Sequence, residues 1–252
     1  MASTQQLLEV FDGLLQPERF KDYAPNGLQV EGKPEVQRIV SGVTASRALI
    51  EAAIDAEADA IFVHHGLFWR GQDARVTGWM RQRLALLLKH DINLFAYHLP
   101  LDAHPGLGNN AQLGLKLGLM ATGRFGEQDL GVLGQRSDGG SFIDAQALAL
   151  HLENGLDRRV VLVDGKHGGI KKIAWCTGGA QSYFEAAIAA GAEAFITGEI
   201  SEPQAHHARE CGVSFFACGH HASERYGAPA VAAHVASQLG LEHRFIEIDN
   251  PA

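Results

Sequence analysis

The chain has 252 residues, 46% apolar and 20% charged, an ordinary balance for a globular protein with chain enough for one large core or two modest lobes. A net charge of −8 argues against a non-specific polyanion binder, so nucleic acid is not an expected partner, and Arg81, Arg83, Lys89, Lys171 and Lys172 read as solvated surface. Cys176, Cys211 and Cys218 form no C-x-x-C pair, which excludes a zinc-finger or disulfide framework, and no apolar stretch reaches the roughly 20 residues that span a bilayer.

Residues 1–16 read as an amphipathic helix, with Leu7, Leu8, Phe11, Leu14 and Leu15 at helical spacing. This segment lacks the basic start and apolar middle of a signal peptide, so a soluble, cytoplasmic protein is expected. A strand over 38–43, a helix over 48–57 and a strand over 60–63 make a βαβ unit with a parallel sheet, and His64-His65-Gly66 follows at once. A helix over 81–90 and a strand over 93–97 lead into His98-Leu99-Pro100-Leu101-Asp102, where Pro100 predicts a loop. The glycine-rich stretch 123–138 reads as turns and short strands, and it sets the expected division into a first lobe over 1–125 and a second over 126–252. Beyond it come a helix over 143–152, a strand within 172–179, a helix over 182–190, a strand over 194–197, a helix over 202–210 and a strand over 215–218. His220-x-x-x-Glu224 follows, and Pro229 leaves the start of the next helix open.

Ile39 falls on Ile173, Glu51 on Glu185, Ala60 on Ala194 and His64 on Gly198, each pair 134 residues apart without a gap. Farther on, His98-x-x-x-Asp102 matches His220-x-x-x-Glu224 at an offset of 122. The expected fold is therefore α/β, with two related lobes from an internal duplication. Open α/β sheets bind ligands outside the carboxyl ends of their strands. Four such ends stand out: His64-His65, His98 to Asp102, Gly198-Glu199 and His220 to Glu224. At a strand end two adjacent imidazoles can serve two metals, and a carboxylate can bridge them, with Asp102 and Glu224 as candidates. Mixed imidazole and carboxylate ligation suits Zn, Mn, Fe, Co or Ni.

His90, His104, His151, His167, His234 and His243 read as surface or core histidines, while His206-His207 stands evenly between surface and the edge of a site. No G-x-G-x-x-G opens a helix after a strand, and no phosphate-binding G-x-x-x-x-G-K-[ST] or G-x-S-x-G elbow is present. Gly178-Gly179 and Gly139-Gly140 read as turn glycines.

Asn26-Gly27-Leu28-Gln29-Val30-Glu31-Gly32, Val63-His64-His65-Gly66-Leu67-Phe68-Trp69, His98-Leu99-Pro100-Leu101-Asp102-Ala103-His104, Thr197-Gly198-Glu199 and Gly219-His220-His221-Ala222-Ser223-Glu224-Arg225 stand in this order. Together they resemble the dinuclear-metal-centre family whose members are often called GTP cyclohydrolase type-two homologues, and its bacterial YbgI-like branch in particular. The resemblance runs from about Leu8 to Ala252. It implies a homohexameric ring of two-lobed subunits, each with two divalent transition-metal ions in the cleft between its lobes. By resemblance the ligands are His64, His65, Asp102, His220 and Glu224, with Glu224 as the bridge and His98 as a further ligand or a close neighbour. Longer relatives carry an inserted domain that this chain has no room for.

The function expected is a metal-dependent hydrolase in which a water shared by two cations attacks a small-molecule substrate. Glu199, 134 residues from His65, is expected as general base and His98 as proton shuttle. The alternative is a non-catalytic metal-binding scaffold or partner-binding ring.

Overall fold

In the computed structural model, which describes residues 1–166 and 168–252, the chain begins with β1 (Ala2–Ser3) and α1 (Thr4–Leu15). His167 lies outside the described residues. A reciprocal capping box starts α1: Ser3 Oγ accepts from Gln6 N at 3.1 Å, and Gln6 Oε1 accepts from Ser3 N at 3.0 Å. Leu7, Phe11 and Leu15, spaced four apart, are its buried stripe.

Next come β2 (Gly27–Val30), β3 (Glu35–Val36), β4 (Arg38–Thr44), α2 (Arg47–Asp55), β5 (Ala60–His65), α3 (Gly78–Lys89), β6 (Asn93–Ala96) and α4 (Leu99–Ala103). The chain continues through α5 (Asn109–Lys116), β7 (Leu119–Phe125), β8 (Gly131–Arg136), α6 (Ala145–Leu156), β9 (Val161–Val163), β10 (Ile173–Trp175), α7 (Phe184–Ala189), β11 (Ala194–Thr197), α8 (Glu202–Cys211), β12 (Ser214–Ala217) and α9 (His220–Glu224). It closes with α10 (Gly227–Leu239) and β13 (Glu242–Phe245).

The chain forms two units, one of Met1–Gly108 with Arg225–Asp249, the other of Asn109–Glu224 with Asn250–Ala252. The boundary expected near residue 125 is thus corrected to Gly108/Asn109, with a return to the first unit after Glu224. Hydrogen bonding and packing give the reason. β7 pairs with β8 from Leu119↔Arg136 to Phe125↔Gly131, so a cut at 125 would divide a hairpin. Likewise Val231 and Val235 of α10 pack with Ile39 and Phe62, and β13 pairs in parallel with β4.

The first unit's sheet has the order β13-β4-β5-β6-β2, with β2 antiparallel on β6 and the rest parallel. Side chains alternate across it, as strand geometry requires. Ile39, Phe62 and Phe95 face α1 and α10, whereas Val40, Ile61, Val63 and Leu94 lie in the core that includes Leu49 of α2 and Leu87 of α3. The second sheet has the order β7-β8-β10-β11-β12-β9, with β10, β11 and β12 parallel and β9 antiparallel on β12. Phe184 of α7 packs on Phe195 and Phe215 with ring centroids 5.7 and 4.9 Å away.

One connectivity serves both units. β4-α2-β5-α3-β6-α4 with β2 antiparallel on β6 repeats as β10-α7-β11-α8-β12-α9 with β9 antiparallel on β12. The pairing Ile39↔Ala60 recurs as Ile173↔Ala194, at the same offset that the sequence displays.

Pro100 does not make a loop. Leu99–Ala103 is a short helix with the proline in its first turn, where a missing N–H breaks no intrahelical bond. The sequence signal was real, but it marks a helix start.

Candidate metal centre

β4, β5 and β6 run parallel, so their carboxyl ends lie along one edge of the first sheet. β5 ends in His64-His65, and Tyr97 and His98 follow β6 directly. His64 is fully buried, and its Nδ1 lies 3.1 Å from the Tyr97 carbonyl oxygen. A carbonyl only accepts, so Nδ1 carries the proton and Nε2 keeps its lone pair. That Nε2 lies 3.5 Å from Asp102 Oδ1, a carboxylate that α4 holds nearly buried. His65 Nδ1 lies 3.2 Å from Thr44 Oγ1 on the neighbouring strand. Adjacent strand residues ordinarily diverge, yet these two rings converge to a centroid distance of 4.4 Å.

His98 is anchored by a group that the sequence reading did not single out. Its Nδ1 lies 2.7 Å from Asp22 Oδ1, and its backbone N–H donates to Asn26 Oδ1 at 2.7 Å. Asp22 also accepts from Asn26 Nδ2 and from the Leu99 N–H, at 3.0 and 2.9 Å. Burial raises the Asp22 pKa, but these hydrogen bonds and the charge of His98 outweigh it and hold the carboxyl well below the usual range. Asp22 is therefore an ionised acceptor that fixes the His98 ring, leaving Nε2 for coordination or proton transfer. Ligand atoms of His64, His65 and His98 all lie within 4.8 Å of one another.

In the second unit β12 leads into α9, which carries His220 and Glu224 one turn apart. His220 Nε2 lies 3.2 Å from Glu224 Oε2, and its Nδ1 lies 2.6 Å from Glu199 Oε1 at the end of β11. The hydrogen bond to Glu224 raises the His220 pKa, burial opposes it, and the charges of Glu224 and Glu199 with the Glu199 hydrogen bond carry it up to about 9. Two carboxylates thus make this a place for positive charge. Gly178 is what admits Glu224: its φ is +70°, and a Cβ there would overlap Glu224 Oε1 and lie 2.9 Å from Cδ. Ser223 Oγ holds the glycine by accepting its N–H at 2.9 Å.

The donors fit transition-metal cations. Two ligands about 2.1 Å from one ion lie at most about 4.2 Å apart. The 3.2 Å and 3.5 Å His–carboxylate separations meet that limit, and the three-histidine cluster needs only a small adjustment. Metal-binding imidazoles commonly have their second nitrogen tied to a carboxylate or carbonyl, and here His64, His98 and His220 have theirs tied in this way.

The expected site residues accordingly divide by unit. His64, His65, His98 and Asp102 gather in the first, and Glu199, His220 and Glu224 in the second. Asp22, Thr44, the Tyr97 carbonyl, Gly178 and Ser223 were not singled out. Asn26, Trp69 and Ser223 lay inside stretches that did stand out, without a role of their own. His206 and His207 are surface groups on α8, beside Glu202 and Glu185 at 2.8 and 3.7 Å. His151 and His243 have structural partners, the Leu117 carbonyl and Ser41 Oγ, both at 2.8 Å.

The sequence model of the family described as Duf34/NIF3 (NGG1p interacting factor 3) matches residues 2–251. A protein of Neisseria meningitidis serogroup B named GTP cyclohydrolase 1 type 2 homolog is 51% identical over 241 residues, 94% of each chain. One of the same name from Pseudomonas aeruginosa is 49% identical over 249 residues, 98% of this chain and 97% of its own. Among solved structures, protein ybgI, titled as of unknown function, superimposes with a TM-score of 0.95 at 44% identity over the whole of both chains.

Proposed function

The chain belongs to the Duf34/NIF3 family, and from that premise we propose that it is a dinuclear metal-binding protein working as a metal-dependent hydrolase. One observation carries the reading. His64, His65, His98 and His220 each have Nδ1 engaged by a protein oxygen, which directs the Nε2 atoms of His64, His65 and His220 to coordination and leaves that of His98 for proton transfer. In the proposed centre His64, His65, Asp102, His220 and Glu224 would hold two divalent ions of Zn, Mn, Fe, Co or Ni. Bound, such a pair supplies Lewis acidity and lowers the pKa of water.

The chain's own residues then divide the work. Asp22 keeps the His98 ring in one orientation, and His98 carries protons to and from the substrate through Nε2. Glu199 orients His220 through Oε1, while Oε2, 3.4 Å from Gln181 Nε2, is the general base toward a water. The relatives' name contributes the form of the reaction, a nucleotide cyclohydrolase-like hydrolysis of a small molecule. The shared connectivity of the units supports their origin by duplication. A homohexameric ring in the cytoplasm completes the proposal. Among the described residues no helix is long and apolar enough to cross a membrane.

Metal analysis of purified protein tests the centre, with about two transition-metal ions per chain expected. Metal-free protein, or an ion content indifferent to Glu224→Ala, sinks it. Turnover of nucleotides, phosphoesters and small amides that requires both metal and Glu224 supports the hydrolase. Two ions without turnover would leave the scaffold as the function. A solution mass of a single 27.1 kDa chain would remove the ring.

A further inference from the structure

After His64-His65-Gly66 the chain continues Leu67-Phe68-Trp69-Arg70, a run that metal ligation does not account for. Leu67 is core, but Phe68 and Trp69 are only partly buried and Arg70 is exposed. The run is tied to the segment 22–25: Arg70 N donates to the Tyr23 carbonyl at 2.7 Å and Arg70 Nη2 to the Asp22 carbonyl at 2.9 Å. Between the two segments lies a cavity of about 390 Å³ whose lining includes Asp22, Tyr23, Pro25, Phe68, Trp69 and Arg70. That volume falls among small-molecule sites, which run from about 300 to 1,000 Å³.

The cavity adjoins the candidate ligands within the same unit. Trp69 meets His98 edge-on, centroids 5.1 Å apart and planes at 82°, and lies 5.8 Å from His65. The Asp22 carboxylate is already engaged by His98, Asn26 and backbone N–H groups, so it does not mark the cavity as a cation site. The charge on offer is the Arg70 guanidinium, fixed at one nitrogen and with further N–H donors. Tyr23, Phe68 and Trp69 supply aromatic walls beside Ala24 and Pro25, and Tyr23 is left 61% exposed at the rim.

We propose that this cavity is the recognition subsite of the centre and takes a planar heteroaromatic ring bearing a phosphate or carboxylate group, the ring against Trp69 and Tyr23 and the anion on Arg70. The inference rests on the metal-centre reading, since His65 and His98 beside Trp69 are what would set a bound ring next to the reacting atoms.

Calorimetry on the full chain, after its metal content is measured, tests it with four probes: guanosine 5′-monophosphate, pyridine-3-carboxylate (whose ring nitrogen and carboxylate cannot chelate one ion), guanosine and inorganic phosphate. One or both ring-bearing anions should bind at least tenfold more tightly than guanosine or phosphate, and which of them does so identifies the anion. Arg70→Ala should weaken the ring-bearing anion by about tenfold and leave guanosine within twofold. Trp69→Leu should weaken every ring ligand by about fivefold or more, as loss of a stacking partner does, and Trp69→Phe should restore most of it. Equal binding of inorganic phosphate, or wild-type affinities in both Arg70→Ala and Trp69→Leu proteins that keep their metal, overturns the inference. Absence of metal from the wild type defeats the centre by metal analysis alone, whereas the nucleoside and Arg70 comparisons still report on the cavity.

Discussion

Replacing Gly178 by alanine separates a glycine needed by the metal site from one needed only by its backbone. At φ +70° a side chain costs about 1–2 kcal/mol, and for a chain of this size each kcal/mol lowers Tm by about 2–4 °C. Backbone strain alone therefore predicts a loss of about 2–8 °C. The new Cβ also overlaps Glu224 Oε1, and Glu224, only 2% exposed, has little room to yield. Restoring ordinary contact at about 3.5 Å moves the carboxylate by about 1 Å or more, whereas ligand distances tolerate about 0.2 Å. Metal affinity should fall about 100-fold, the upper end of what loss of a supporting group costs. Gly139→Ala is the control, since Gly139 has φ +75° in the same unit and a Cβ there would meet nothing within 4 Å. Metal per chain is read by elemental mass spectrometry after dialysis against a competing chelator, with Tm measured in parallel. The reasoning is refuted if Gly178→Ala keeps its metal, or if Gly139→Ala loses as much.

Removing the His98 anchor with Asp22→Asn should lower metal-dependent turnover about 10- to 100-fold; unchanged turnover would remove His98 from proton transfer. Stripping metal should lower stability by about 2.7 kcal/mol if the ions were present at 100 times their dissociation constant, or about 5–11 °C in Tm; an unmoved Tm on chelation contradicts a resident centre. Asp59 accepts from Lys33 Nζ, Gln37 N and Arg38 N at 2.7, 2.9 and 3.1 Å. Burial raises its pKa, but these bonds prevail and lower it. Its contribution is therefore present above the unfolded carboxyl pKa and lost as pH falls through the folded value. Asp59→Ala should cost about 1–3 kcal/mol at pH 7 in urea unfolding, and the gap from wild type should narrow below about pH 4; a pH-independent gap contradicts this.

The contrast between Gly178 and Gly139 shows what the sequence could carry. Both stand in Gly-Gly pairs and both have positive φ, so nothing local tells them apart; the difference lies in a carboxylate 46 residues downstream of Gly178, at Glu224. The candidate ligands, by contrast, could be picked out because strand ends announce themselves: an apolar run stops, and His64-His65 or His220 follows at once. Asp22 escaped for the reason Gly178 did. Its role depends on Asn26, His98 and Leu99 closing around it across 77 residues, and no periodicity encodes that. The boundary was misplaced because glycine-rich stretches mark hairpins as readily as linkers, and β7 with β8 is a hairpin.

The two units share one connectivity but differ where the proposed recognition subsite lies. Up to the ends of β5 and β11 the offset between units holds at 134, yet His98 and His220 are only 122 apart. The first unit therefore spends about a dozen more residues before its next strand end. In the second unit β11 ends at Thr197, and Ser201 already caps α8. In the first, β5 ends at His65 and α3 does not begin until Gly78. The additional chain between them contains Phe68, Trp69 and Arg70, the aromatic and cationic wall of the cavity. Strand ends common to both units carry the candidate metal ligands, and a segment peculiar to one carries the candidate recognition groups. Shortening that segment to second-unit length should then remove ligand recognition while leaving His64, His65 and their metal in place. Loss of metal and ligand together would mean the segment supports the strand end itself, and the division of roles would fail.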